Sequence, residues 1–444
     1  MTEEDRRVDA GGRSRGISRL EFLRMAGVGA GLAATPGFLA SCEAIYGGGG
    51  GSSEGGAIEL FSETSLQAPL QELISRYREN HPDFKVKSSY AETDALMNTT
   101  RTQIASNNAP DLMQVWPGTG GNAMAVGAVG PTGALADLSD QPWVDRIPQD
   151  IKSLFEYKGK TLYYSPGRAV IGAIYYKPIF EDLGLETPKT WDELLSASEK
   201  IKKSGKYPFA IGNKDVVFTQ FMNYALVPST VYAENPNFDE DMARGKATFE
   251  HSGWKDAFEK YVELEKRGYF NPDSLGTSSQ EATEMFFSGR AAMLVTPVVG
   301  LGDLEEQYDA VGKTDVFVVP GVNDPEKVWA SAGLGSGLGV YSESEKVDEA
   351  KAFIEFLGEQ ENANTFAEML GFLPITPNRE MKVDPFLKTF LPYVEQGKSI
   401  YFPDQKWPNA EVQQTHFAVI QQVFAGEITI DEALRQMDKT YQQG

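Results

Sequence analysis

A small set of residues in this 444-residue chain is of the types, and in the places, that suit the binding of a hydroxyl-rich small molecule. Such sites combine aromatic faces with carboxylates, amides and arginines that hydrogen-bond hydroxyl groups. Glu63 and Thr64 follow the apolar run Ile58-Glu59-Leu60-Phe61, and Trp116 and Thr119 stand at and just beyond Leu112-Met113-Gln114-Val115. Beside Pro117-Gly118-Thr119-Gly120-Gly121, Trp116 either presents a stacking face or packs as a core tryptophan against the loop. Arg168, two residues past Pro166, carries a fork that fits a hydroxyl pair, a carboxylate or phosphate on a solute, or an internal carboxylate. Gln220 and Asn223 face either a cleft or solvent. Trp329 precedes Ala332-Gly333-Leu334-Gly335, where glycines allow close backbone approach to a ligand, and Phe402 and Trp407 are further aromatic candidates.

Other chemistries are poorly served. The single cysteine, Cys42, allows no internal disulfide, and His81, His251 and His416 are too scattered for a metal site, so they read as ordinary surface or interface residues. Residues 333–339 are glycine-rich but lack the lysine and hydroxyl residue of a phosphate-binding loop. The pairs Glu281/Glu284 and Glu305/Glu306 read as solvated helix faces rather than acid/base couples. No catalytic residue, cofactor or metal is expected. A formal net charge of −22 argues against nucleic acid and against adsorption to an anionic bilayer. With 41% hydrophobic residues the chain can still bury a large core.

The elements that must hold these residues follow from periodicity. Residues 58–61 read as a strand, and Leu66, Leu70, Leu73, Ile74 and Tyr77 follow helical spacing as far as His81-Pro82. Residues 84–90 read as the next strand, 94–106 as a helix and 110–116 as a strand. A β-α-β opening predicts an open α/β sheet, whose ligands bind outside the carboxyl ends of the strands, and that is where Glu63 and Thr64 stand. Thr190-Trp191-Asp192-Glu193 has the spacing of a capping box ahead of an apolar helical face formed by Trp191, Leu194, Leu195 and Ile201. Helices are also predicted over 348–359, 412–424 and 431–442.

Residues 1–41 read as an export leader, with Arg6, Arg7, Arg13, Arg15, Arg19 and Arg24 ahead of a short apolar stretch over 25–40. Leu39-Ala40-Ser41-Cys42 resembles a bacterial lipobox, which implies acylation of Cys42 and cleavage just before it. Ser18-Arg19-Leu20-Glu21-Phe22-Leu23-Arg24 resembles the twin-arginine export motif, with Leu20 where the second arginine belongs. Residues 42–56 read as the lipidated cysteine and a glycine/serine tether with a reach of roughly 20 Å. The expected location is the outer face of the cytoplasmic membrane, anchored through Cys42.

Several blocks occur in one order along the rest of the chain: Ala109-Pro110-Asp111, Tyr157-Lys158-Gly159-Lys160-Thr161-Leu162-Tyr163-Tyr164-Ser165-Pro166, Ile174-Tyr175-Tyr176-Lys177, Thr190-Trp191-Asp192-Glu193-Leu194, Phe286-Phe287-Ser288-Gly289-Arg290-Ala291-Ala292-Met293, Gly371-Phe372-Leu373-Pro374 and Asp431-Glu432-Ala433-Leu434. Together they resemble family 1 extracellular solute-binding proteins of ABC sugar importers, the group of maltose-binding protein. The resemblance implies an α/β, two-lobed periplasmic-binding-protein type II fold with hinge-crossing strands and a ligand cleft. It implies a first lobe of 57–167 plus 292–340 and a second of 168–291 plus 341–444, with Arg168 where the chain crosses. It further implies a monomeric binding protein, with no enzymatic activity, that captures a sugar or polyol by lobe closure and delivers it to ABC permease subunits. Relatives place an aromatic residue beside a proline where this chain has Thr296-Pro297-Val298-Val299, so Trp329, Phe402 or Trp407 would have to stack instead, or the solute is smaller. The alternative is a secreted carbohydrate-active enzyme that uses a carboxylate pair.

Overall fold

The computed structural model describes residues 56–375 and 381–444, so the expectations for the leader, for Cys42 and for the tether up to residue 55 fall outside the described residues. Strand β1 (Ile58–Glu63), helix α1 (Gln67–Asn80), strand β2 (Val86–Ala91), helix α2 (Thr93–Ala105) and strand β3 (Leu112–Val115) form the expected opening. β1 pairs in parallel with β2 on one side and with β3 on the other. Helix α1 buries Leu70, Leu73, Ile74 and Tyr77, an i, i+3, i+4, i+7 stripe that shares a core with Ile58 and Leu60 of β1.

The chain continues through β4 (Gly167–Tyr176), α3 (Trp191–Lys203), β5 (Tyr207–Ala210), α4 (Gln220–Val227), α5 (Trp254–Lys266), α6 (Ser279–Phe287), β6 (Ala291–Pro297), β7 (Thr314–Phe317) and β8 (Ala330–Leu334). It then passes β9 (Gly337–Val340), α7 (Val347–Gly358), α8 (Gln360–Leu370), β10 (Leu373–Pro374), β11 (Ser399–Ile400), α9 (Ala410–Phe424) and α10 (Ile430–Tyr441). One sheet has the order β9-β3-β1-β2, with β9 antiparallel to β3. The other has the order β11-β8-β4-β6-β5, and β7 and β10 also pair with β4. Strand β4 is the axis of this second sheet. Ala169, Ile171 and Ala173 enter one core cluster while Val170 and Ile174 enter another, so alternate side chains are buried on both faces.

This pairing corrects the expected lobe boundaries. Residues 291–297, 314–317 and 330–334 belong to the second sheet, because β6, β7 and β8 all pair with β4. The return to the first sheet comes only at β9, and α8, expected in the second lobe, packs on α1. A short apolar strand such as 291–297 has a pattern that fits either sheet, and long-range pairing decides between them.

The capping box expected at Thr190 is half formed. Thr190 Oγ1 accepts the Glu193 N–H at 3.2 Å, but the Glu193 carboxylate reaches past Thr190 to the Lys189 N–H at 2.7 Å. The reciprocal box lies instead at the start of α6, between Ser278 and Glu281. Among the described residues no helix is long and apolar enough to cross a membrane, and no cluster of potential metal ligands occurs.

Candidate functional site

The chain crosses between the two sheets at Ser165-Pro166, at Gly335-Ser336 and at Gly371-Phe372. These crossings are stitched together. Ser165 Oγ donates to the Gly335 carbonyl at 3.0 Å, and the Gly335 N–H donates to the Gly167 carbonyl at 3.0 Å. The glycines here answer to space: a Cβ on Gly337 would lie 1.8 Å from the Tyr164 carbonyl oxygen, and one on Gly335 would lie 2.1 Å from the Phe372 ring. The glycine run at 333–339 is therefore the end of β8, a crossing and the start of β9.

The carboxyl ends of β1 and β3 meet this hinge. Gln114, fully buried in β3, accepts Ser62 Oγ–H at 2.6 Å and the Glu63 N–H at 2.7 Å through Oε1. Its Nε2 donates to the Glu63 carboxylate at 2.7 Å and to Ser336 Oγ at 3.1 Å. All the hydrogen-bonding capacity of the amide is used. Thr93 Oγ1 donates to the other Glu63 oxygen at 2.5 Å, and Thr64 Oγ1 donates to Glu92 at 3.1 Å. A half-buried carboxylate is thus held at the strand ends and tied to a crossing segment. Sequence reasoning picked out Glu63 and Thr64 and missed Gln114. The available signal was a lone amide inside an otherwise apolar four-residue strand, which needs partners when buried.

On the other side, the segment after β11 lies along β8. Phe402 is half-buried over Gly333, and Gln405 clamps Leu334 by accepting its N–H at 3.2 Å and donating to its carbonyl at 2.9 Å. The glycine loop 117–121 packs on this segment. The Thr119 N–H donates to the Gln405 carbonyl at 3.0 Å and Thr119 Oγ1 donates to the Trp407 carbonyl at 2.5 Å. Asp404 turns its carboxylate toward Gly121, and burial pushes it up to about 6. Trp116 is half-buried at the end of β3, with its backbone bonded to Met124 and Val126. Glu63, Thr64, Trp116, Thr119 and Phe402 therefore stand on elements that end at or beside the crossings.

Other candidates have different surroundings. Arg168 is 4% exposed on β4, opposite Leu334 and Leu373, with Nη2 3.7 Å from Asp150. Burial lowers the guanidinium pKa and the Asp150 charge opposes that shift. Its Nη2 faces Asp150, which is exposed, while its buried Nε has no hydrogen-bond partner among the described residues. Gln220 and Asn223 face neither solvent nor an open cleft: both are buried in α4, where Gln220 Oε1 accepts from Gln413 and Asn223 Nδ2 lies 3.2 Å from His416 Nε2. A helix wrapped by others on all sides buries its polar positions too. Trp329 is half-buried, its N–H donated to Ser229 Oγ at 3.1 Å. Trp407 is a core residue rather than a stacking platform, 1% exposed.

His416 also departs from expectation. It is fully buried in a box of Tyr224, Trp254, Trp407 and Phe258, with ring centroids 5.5–5.9 Å away, and burial lowers its pKa to about 3, so it is neutral. One member of each carboxylate pair is engaged structurally, and Glu305 is buried rather than on the solvated face expected of it. Glu281 caps α6, and Glu305 accepts the Gly312 N–H at 3.0 Å, the Thr314 N–H at 2.9 Å and Thr314 Oγ1–H at 2.7 Å.

Two sheets joined by adjacent crossings, with polar and aromatic residues at the strand ends between them, define a hinged solute-binding protein. Residues 62–364 match the model of the bacterial extracellular solute-binding protein family, and the chain belongs to that family. The sn-glycerol-3-phosphate-binding periplasmic protein of Rhizobium meliloti is 26% identical over 321 residues, covering 69% of this chain and 72% of its own length. The multiple sugar-binding protein of Streptococcus mutans is 22% identical over 306 residues, covering 68% and 70%. Among solved structures, a chitin oligosaccharide binding protein superposes with a TM-score of 0.70 at 22% identity, covering 86% of this chain and 98% of that one. RafE in complex with raffinose superposes with a TM-score of 0.69 at 19% identity, covering 87% and 98%. The fold is the two-lobed α/β type of these proteins, and the chain is a solute-capture protein of the extracytoplasmic side.

Proposed function

We propose that this protein captures a carbohydrate-like solute in the cleft between its two sheets, closes on it and presents it to the permease subunits of an ABC importer. The observation that carries the reading is the Gln114 bridge, which ties the Glu63 carboxylate at the strand ends to Ser336 in a crossing segment. A solute held by Glu63 is thereby coupled to the segment about which closure turns, and it favours the closed state only through contacts the open state lacks. The half-buried Trp116, Trp329 and Phe402 would supply faces for sugar rings. The named specificities of the relatives, for sugars and for a polyol phosphate, point to the same class of solute.

The working form is a monomer held at the outer face of the cytoplasmic membrane through an acylated Cys42. Labelling cells with a radioactive fatty acid is expected to mark the wild-type chain and to leave Cys42→Ser unmarked. No enzymatic step is assigned to it. A thermal-shift screen of the full-length protein against sugars and polyols tests capture: a solute at a hundredfold over its Kd should add about 2.7 kcal/mol of stability. Stable turnover of a glycoside without stoichiometric binding would refute the reading.

A further inference from the structure

Loop 117–121 and segment 404–407 are carried by different lobes, and neither is a crossing. The loop follows β3 of the first sheet and folds back on it: the Val126 N–H donates to the Trp116 carbonyl at 2.9 Å and the Gly127 N–H to the Gly118 carbonyl at 2.8 Å. The segment follows β11 of the second sheet, where Gln405 clamps Leu334 of β8 and the Trp407 ring packs against Tyr224, Phe249 and Trp254. Loop and segment meet backbone to backbone. The Thr119 N–H donates to the Gln405 carbonyl at 3.0 Å, and Thr119 Oγ1 donates to the Trp407 carbonyl at 2.5 Å. Glycine makes this approach possible. A Cβ on Gly118 would lie 1.8 Å from the Gln405 carbonyl oxygen, and one on Gly120 would lie 2.6 Å from the carbonyl oxygens of both Asp404 and Trp407. At both positions the three nearest atoms belong to the facing segment. Gly118 also has a φ of +72°, whereas Gly120 lies outside the left-handed region, so at Gly120 it is the contact that a side chain would obstruct.

Each of these two pieces moves with its own sheet, so rotation about the three crossings must change the distance between them. We propose that loop 117–121 is a latch. It docks on segment 404–407 as the lobes close and holds the closed form through protein contacts, with Gly118, Thr119 and Gly120 as positioning residues. This inference rests on the capture reading and adds a working part to it. The solute then supplies only part of the free energy of closure, and the latch lowers the cost of reaching the closed state by the same factor for every solute. The Thr119 hydroxyl spends its proton on Trp407 and is not free to donate to a solute.

Gly120→Ala in the full-length protein tests it, with glucose, raffinose, glycerol and sn-glycerol 3-phosphate as probes in calorimetry and stopped-flow tryptophan fluorescence. Every probe that binds the wild type should bind the variant about tenfold or more weakly, by the same factor for each, the loss expected when two hydrogen bonds no longer form. The loss should lie in faster dissociation, with association within about twofold of wild type, because the latch forms after the solute has entered. Hydrogen exchange at saturating solute supplies a readout that affinity does not: peptides covering 116–122 and 403–408 should be protected in the wild type and lose that protection in the variant. Thr119→Val, which removes one bond without adding bulk to the loop backbone, should show the same pattern at about threefold to tenfold, while Thr119→Ser stays within about twofold of wild type. The Thr119 pair carries the test if Gly120→Ala fails to fold. Affinity and protection within about twofold of wild type in Gly120→Ala, or a loss confined to some of the probes, overturns the latch and leaves solute capture standing. Silence across every probe in the wild type overturns both.

Discussion

Two buried amides in this molecule sit in opposite circumstances. Gln114, at the cleft edge, uses both donors and its acceptor oxygen on Ser62, Glu63 and Ser336. Asn223, in the packed core between α4 and α9, shares a contact with His416 and leaves its Oδ1, and the His416 Nδ1, without partners. A satisfied buried network positions a functional group, whereas a half-satisfied one costs stability and is retained only because aromatic packing around it outweighs that cost. Residue type alone does not separate the two cases. What does is whether the neighbours are polar groups that pair with the amide, as around Gln114, or rings, as around Asn223.

The comparison breaks most visibly in the aromatic box. Trp407→Ala should cost about 3–5 kcal/mol in urea unfolding, because a fully buried ring is replaced by a cavity, while the folded fraction keeps its solute affinity within about threefold. A loss of affinity larger than the loss of stability would mean that the box belongs to the site.

Acidification probes the same box. With a folded pKa of about 3 against about 6.5 unfolded, His416 takes up its proton only on unfolding, so its burial costs stability progressively as pH falls below about 6.5. Relative to wild type, His416→Phe should gain about 2 kcal/mol on going from pH 7 to pH 5. Asp239 and Asp404 work with the opposite sign. Burial raises both to about 6, so they stabilise the folded state at low pH and that contribution is lost as pH rises through 6. They are common to both proteins and cancel in the difference. A gap between the two proteins that does not change with pH would contradict the neutral, buried histidine.

At the cleft edge, Gln114→Leu should lower solute affinity about tenfold, roughly 1.4 kcal/mol, by releasing Glu63 from its fixed position. Thr64→Ala, which removes a single exposed hydrogen bond to Glu92, should change affinity less than twofold and stability by less than about 0.5 kcal/mol. If Thr64→Ala outweighs Gln114→Leu, the anchoring role assigned to the buried amide is wrong.

Much of the fold was legible because local periodicity and burial agree. The β-α-β opening appears where the Leu66 to Tyr77 stripe and its flanking strands place it, and the last two helices lie within two residues of expectation. The sheet membership of 291–334 was not legible, since a short apolar strand carries no record of its partner. Strand-end position placed Glu63 at the carboxyl end of β1, whereas the burial of Gln220 and Asn223 was not legible because an all-buried helix hides its polar residues as thoroughly as its apolar ones. Asp404 and Ser336 were missed because their placement depends on contacts far along the chain.

Hinged capture makes a prediction about shape. Small-angle X-ray scattering on the full-length protein, with and without a saturating concentration of the tightest-binding uncharged sugar, should show the radius of gyration falling as the two sheets close about the crossings at 165–166, 335–336 and 371–372. A scattering curve unchanged at saturation, from a protein that calorimetry shows to be fully loaded, would contradict the account.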